Sequence, residues 1–435
     1  MSNHSSLNKV LKNAGTLLSG NIGANIFGLL SIAIFTHSQG AVIFGYYVLF
    51  LTFIEIIDRI FNFQTWQAFI KFATDFQVKN DHSNVMMLLK YSFLVDLVSL
   101  IVATLVAAGL SIYAMSFFDI PQKYYHLLLL MSLTILFKTT EISTGIFRLF
   151  DRFKVQAKIA VYSSATKFVM FGVIAIFTPS FKMFIYATVF TQFITMVMKY
   201  FYAKSVLNEH DIYIVEILKE KVNMPLLNEL KIFSFIVYNN FDIAVRMISR
   251  QLDIVILGKL YGVEIVGIYK IAKEASSLIA KLTDPVYQAI YPEFARMLAS
   301  GKKLEARQMA IKISLYAGGV GLIFYGLFVL FGKWAIVFAF GKDFVEAYSV
   351  SIVYIIAIVI AMISLPLPPL IHSFGLAGHA LFNQIISTFL YGVILIILVA
   401  KFSMLGAAIS MIIFHIIWLF IALIIVNKKF QEFKC

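Results

Sequence analysis

From Ala347 to Ile371 the chain reads AYSVSIVYIIAIVIAMISLPLPPLI, without one Asp, Glu, Lys or Arg. About 20 such residues, wound as a helix, cross the hydrocarbon of a bilayer once. Comparable runs recur along the whole sequence, and they set the class. Apolar residues make up 60% of the chain and charged ones only 14%, against about 25% charged in a soluble domain. A soluble fold would have no interior large enough to hide that much apolar side chain. A membrane β-barrel would show alternating segments of about ten residues, whereas these runs are continuous. The expectation is an all-α integral membrane protein with about twelve spans, at 14–35, 40–60, 88–115, 124–147, 159–178, 181–203, 231–257, 263–285, 310–331, 345–370, 380–400 and 404–426. Two are weaker than the rest: 40–60 carries Glu55, Asp58 and Arg59, and 263–285 carries Glu264, Lys270, Lys273, Glu274, Lys281 and Asp284.

The net charge of +13 would suggest nucleic acid in a soluble protein. Here it follows from basic loops on one face of a membrane. With the N-terminus in the cytoplasm and the spans alternating, the inner segments hold Lys9, Lys12, Lys71, Lys79, Arg148, Arg152, Lys154, Lys158, Lys219, Lys221, Arg296, Lys302, Lys303, Lys428 and Lys429, among others. The outer segments hold Lys123, Lys182, Lys259, Lys333, Lys342 and Lys401. That bias places both termini in the cytoplasm. The first apolar run lacks a small-residue cleavage site and reads as a span, not a removed signal. The single cysteine, Cys435, excludes an internal disulfide and lies outside any prenylation pattern.

The polar stretch 204–230 divides the chain into an N-terminal six-helix lobe, 1–203, and a C-terminal one, 231–435, with a cytoplasmic linker between them. A short repeat supports the division. GAVIFGYY at Gly40–Tyr47 and GVEIVGIY at Gly262–Tyr269 share the spacing of two glycines and a tyrosine. Each sits where the first span of its half meets the second. Repeated six-span halves, with a substrate path between them, are one architecture for alternating access.

Charges inside spans are expensive and mark either interhelical ion pairs or an aqueous path. The first half offers Asp96, Lys138, Glu141 and Lys167; the second offers Asp242, Arg246, Arg250 and Asp253, then Lys270, Lys273, Glu274, Lys281 and Asp284. Asp242, Arg246 and Arg250 recur every four residues and share a helix face. Interhelical salt bridges and a basic aqueous cavity both remain open for this set. The basic residues would suit a phosphate group, for which arginine is the better fork. No GxxxxGK[ST], HExxH or GxSxG pattern occurs, so nucleotide hydrolysis, zinc and serine chemistry have no signal. No cofactor is expected, and no nucleic-acid partner. Coupling to H+ or Na+ is left open. LPLPPL at Leu365–Leu370 reads as either a helix end or a hinge.

RQLDIVILGKLYGVEIVGIYKIAKEA at Arg250–Ala275, followed by PVYQAIYPEFARMLASG at Pro285–Gly301, resembles the polysaccharide biosynthesis membrane proteins. These are flippases for O-antigen or capsule repeat units, in the superfamily that also holds lipid II flippases and multidrug and toxin extruders. NAGTLLSGNIGANIFGLLSIAIFTHSQGAVIFGYYVLF, GLAGHALFNQI and MLGAAIS carry the same likeness. The resemblance implies a MATE-like fold of two six-helix lobes in the bacterial cytoplasmic (inner) membrane. It also implies undecaprenyl-diphosphate-linked oligosaccharide as cargo, with membrane lipids and polysaccharide polymerase machinery as partners. Carried onto this sequence, it makes Arg246, Arg250 and Lys270 the leading phosphate contacts, with Lys273, Lys138 and Lys167 behind them. A cation-coupled multidrug antiporter is the other reading, in which Asp242, Asp253, Glu141 or Asp96 would serve an ion. A non-transporting enzyme or scaffold of the polymer pathway is the third.

Overall fold

The computed structural model describes residues 2–139, 141–281 and 284–431; Cys435 and the side chains of Lys281 and Asp284 fall outside what it describes. Among the described residues every regular element is helical. In chain order these are α1 (Ser2–Phe61), α2 (Trp66–Val78), α3 (His82–Phe117), α4 (Tyr125–Leu136), α5 (Ile142–Leu149), α6 (Phe153–Phe177), α7 (Phe181–Asn208), α8 (Ile214–Lys219), α9 (Met224–Glu229), α10 (Ile232–Tyr261), α11 (Val263–Lys281), α12 (Asp284–Ala299), α13 (Lys303–Phe340), α14 (Ala347–Ile363), α15 (Leu367–Ser373) and α16 (Ala377–Gln431).

Seven of the described helical segments are long and apolar enough to cross a membrane by themselves. Two of these are double. α1 turns at Gly40, where φ is 74°, and α16 turns at Ser403, where φ is 50°. The pair α14–α15 is one of the seven, and the pair α4–α5 with α10 and α11 provides three further helical stretches of about crossing length. The total agrees with about twelve crossings. Local chemistry sets several boundaries. The Asp81 side chain accepts from Asn84 N at 3.1 Å and caps α3. The Asn223 side chain likewise accepts from Leu226 N at 3.2 Å at the start of α9. The prolines of LPLPPL end α14 at Ile363 and then open α15, where a missing N–H costs nothing.

The chain forms two compact units, residues 1–39 with 50–247, and residues 40–49 with 248–435. In the first, α2, α3, α5 and α7 close over a core of Phe69, Phe72, Leu88, Ile146, Phe147 and Leu207. The segment 204–230 folds here as α8 and α9; Lys90 Nζ on α3 donates to Leu218 O at 2.7 Å and Glu220 O at 2.8 Å. In the second, α12, α13, α15 and α16 meet around Ile290, Phe294, Leu370, Ile371 and Ala422. Large apolar side chains such as Leu105, Phe177, Leu330, Phe338 and Phe389 stand exposed, as a lipid-facing surface requires.

The two copies of the repeat meet inside the second unit. A Cβ added to Gly45 would run into the carbonyl oxygen of Val263, and one added to Gly267 into that of Ala41. Ala41 is four residues before Gly45, as Val263 is before Gly267, so each helix offers the other the same turn. Small residues at a crossing let backbones approach closely. Gly40 and Gly262, at equivalent places in the two copies, both have positive φ, 74° and 83°, a conformation open to glycine at little cost.

Candidate functional site

The intramembrane charges gather in two places, one in each unit. In the first unit α1 ends at Phe61, and residues 62–64 are non-helical before α2 begins at Trp66. Asp58, fully buried, accepts from Lys138 Nζ at 2.6 Å and from Asn62 Nδ2 at 3.0 Å. Glu141 accepts from Lys199 Nζ at 2.8 Å. Asp96 on α3 accepts from Thr65 N at 3.1 Å through Oδ1. Lys167 lies over the Phe171 ring, 5.1 Å from its centroid. On the early part of α10, Arg246 Nε donates to Asp242 Oδ2 at 3.0 Å, one turn apart on the same helix.

In the second unit Asp253 is fully buried and saturated. Lys273 Nζ reaches its two carboxylate oxygens at 3.0 and 2.7 Å. Tyr269 OH donates to Oδ2 at 2.7 Å and Ile254 N to Oδ1 at 2.9 Å. The same lysine donates to Arg250 O at 2.6 Å, so α11 is tied to α10 at this level. Lys270 pairs with Glu274 at 2.8 Å along α11. The Arg250 side chain is exposed. It makes no ion pair among the described residues.

The sequence-derived candidates thus divide. Lys273 with Asp253, and Arg246 with Asp242, are brought together as pairs. Lys138 and Glu141 each meet partners that the sequence did not single out, Asp58 and Lys199. Arg250 alone among the arginines of this set presents an uncompensated guanidinium. Tyr269, assigned by sequence to the glycine motif, is also a hydrogen-bond donor to a buried carboxylate. Its position one turn before Lys273 is the only signal that would have suggested it. An apolar groove of about 860 Å³ between α4, α6 and α7 is lined by Phe137, Val173, Met183, Tyr186 and Phe190, with none of the candidate residues on its wall.

Chemically, the exposed Arg250 guanidinium can meet an anionic group, while Asp58, Glu141, Asp242, Asp253 and Glu274 are each matched by a lysine or arginine. The arrangement shows no set of three or more His, Cys, Asp or Glu side chains able to hold a metal ion among the described residues.

Comparison with known proteins bears on fold and family separately. The fold resembles that of the lipid II flippase MurJ in an inward closed conformation, with a TM-score of 0.71 at 13% identity over 94% of this chain and 87% of that one. It equally resembles an inward-facing multidrug resistance MATE family transporter of the MOP superfamily, with a TM-score of 0.71 at 13% identity over 96% and 95% of the two chains. In sequence, the inner membrane protein YghQ of Escherichia coli (strain K12) is 23% identical over 347 residues, covering 78% of this chain and 95% of that protein. The family model described as polysaccharide biosynthesis protein matches residues 10–298, the stretch that contains both copies of the glycine repeat and both charged clusters. The chain belongs to the polysaccharide biosynthesis protein family, built on the MATE-like membrane fold.

Proposed function

We propose that this protein is a flippase that moves undecaprenyl-diphosphate-linked oligosaccharide repeat units across the bacterial cytoplasmic membrane by alternating access, for O-antigen or another surface polysaccharide. Membership of the polysaccharide biosynthesis family carries this reading. The pairing of the intramembrane acids supports it. Asp58, Glu141, Asp242 and Asp253 are each neutralised by a lysine or arginine, which leaves little free negative charge to attract an organic cation. Arg250 keeps its charge unspent and is the leading contact for a diphosphate. Arg246, Lys270, Lys273 and Lys138 rank behind it because each is already engaged with a carboxylate, and Lys167 because it lies over the Phe171 ring. The polymer stays with its lipid: a diphosphate cannot enter hydrocarbon unaided, and a protein need only shield that head group while the tail remains in the bilayer.

The multidrug antiporter reading draws on the likeness to MATE transporters. A deletion strain separates the two. The lipid-linked precursor should accumulate on the cytoplasmic leaflet and surface polysaccharide should fall, with both restored by the gene in trans. Normal precursor transfer in the deletion strain, together with drug sensitivity, would overturn the flippase reading in favour of the antiporter.

A further inference from the structure

Three carboxylates among the described residues are fully enclosed: Asp58, Asp96 and Asp253 at 0, 1 and 0% exposure. Asp58 has Lys138, and Asp253 has Lys273. Asp96 has no basic partner. Its Oδ1 accepts the Thr65 N–H, and its Oδ2 has no hydrogen-bond partner among the described residues, the nearby Thr65 hydroxyl donating to Ser92 O instead. One helical turn earlier on α3, the Ser92 hydroxyl is buried and equally without a partner. Two unsatisfied oxygens therefore lie on the same face of one helix, and both belong to residues that hold Thr65, since Ser92 O accepts from Thr65 Oγ1 at 3.3 Å.

An ionised carboxylate enclosed without a counter-charge costs several kcal/mol. The neighbouring cations do not supply one. Lys138 is committed to Asp58 and Lys199 to Glu141. Arg148 of α5 lies over the Trp66 ring, and Lys71 of α2 over the rings of Phe72 and Phe235. Arg59 and Glu141 complete the charged surroundings, and Glu141 adds a second negative charge facing Asp96. The missing charge must come from outside the protein. A hard metal cation would demand about six oxygen ligands, and among the described residues the other unpartnered side-chain oxygens beside the break, Ser92 Oγ and Asn240 Oδ1, are too few to complete that set. A proton needs one.

We propose that Asp96 is a proton-binding residue of this protein, taking up one proton at Oδ2, and that the helix break at residues 62–65 responds to its protonation. The link is geometric. α3 serves the polar groups of that break one after another: Thr65 N on Asp96, Thr65 Oγ1 on Ser92 O, and Phe63 N on Ser99 Oγ at 3.2 Å. Asn240 Nδ2 covers Ile60 O, a carbonyl beside the break, at 3.0 Å. Removing the proton places a full charge beside the N–H of Thr65, the residue just before α2, and strengthens that bond relative to the others. The site is defined without reference to cargo, so it stands apart from the flippase reading.

Trp66, the residue after Thr65, is a natural reporter. Replacing the other two tryptophans, Trp334→Phe and Trp418→Phe, leaves it alone in the chain. The protein is reconstituted in lipid nanodiscs without any lipid-linked sugar and titrated between about pH 5 and 9 at constant ionic strength. Trp66 emission is expected to follow a single protonation that disappears in Asp96→Asn, which stays at the acid plateau, and persists in Asp58→Asn. The infrared difference spectrum between acid and alkaline samples should show a protonated-carboxyl band, lost in Asp96→Asn and moved in frequency in Asp96→Glu. The Glu variant keeps the test decisive if the Asn variant fails to fold. Absence of that band in the parent protein, its persistence in Asp96→Asn, or emission that follows Na+ at fixed pH would each overturn the proposal. None of those results would bear on which lipid the protein moves.

Discussion

Lys273 Nζ and Asp253 Oδ2 are 2.7 Å apart, the lysine on α11 and the carboxylate on α10. The side chains are 17 and 0% exposed, so neither can trade its partner for bulk water. Breaking such a pair from one side leaves a buried, unpaired charge, which costs about 3–5 kcal/mol. Asp253→Asn and Lys273→Met should therefore each lower the thermal unfolding midpoint in detergent sharply. The double variant should recover much of the loss. Additive losses in the double variant would show that the two residues act separately.

Tyr269 and Tyr391 are both fully buried, but they differ in one atom's company. Tyr269 OH donates to Asp253, whereas Tyr391 OH has no partner. Tyr269→Phe should destabilise by about 2 kcal/mol, the scale of a hydrogen bond to a charged group. Tyr391→Phe should be neutral or slightly stabilising, because it removes an unmet polar group. Thermal unfolding of the two variants in parallel checks the contrast, and equal effects would contradict it.

Arg250 and Arg246 allow a test of the proposed anion site. They lie four residues apart on α10, but only Arg246 is matched by an acid, Asp242. Arg250→Ala should reduce surface polysaccharide more than Arg246→Ala at equal membrane abundance. Arg250→Lys should rescue poorly if the guanidinium grips a phosphate with two parallel bonds. Quantified surface polymer against immunoblotted protein gives the answer, and full activity in Arg250→Ala would remove this residue from the site.

Gly262 separates a conformational cost from a steric one. A Cβ there meets nothing within 4 Å, yet φ is +83°. Gly262→Ala should cost about 1 kcal/mol, and Gly262→Asn less, since asparagine tolerates the left-handed region. Gly45→Ala should be far worse, because its Cβ would collide with a backbone carbonyl. Gly109→Ala, with open space around it, serves as the control. Relative folded yield in detergent ranks the four.

Much of this architecture is legible in the sequence because membrane crossing leaves a long, local signal. The run Ala347–Ile363 announces a helix without any knowledge of its neighbours, and the LPLPPL prolines announce where it must stop. The Asp242–Arg246 pair is legible too, being one helical turn apart. Asp58 with Lys138, and Glu141 with Lys199, are not. Lys138 and Glu141 sit in the turn between α4 and α5 and their partners on α1 and α7, and no periodicity connects residues so far apart in the chain. Lys199 near a span end reads as a side chain reaching for the interface, which hides its role against Glu141. Asp96 presents the opposite difficulty: its residue type stands out at once, but that its Oδ2 lacks any companion is a fact of packing alone.

The meeting of Gly45 with Val263, and of Gly267 with Ala41, is made by main chain on the receiving side. Carbonyl oxygens are supplied by every residue type, so Val263 and Ala41 can drift in identity without changing the surface they offer. Only the two glycines answer to the contact. A duplicated ancestor could thus rewrite nearly all of both copies and still keep this one crossing, leaving a paired glycine spacing as the last readable trace of its origin.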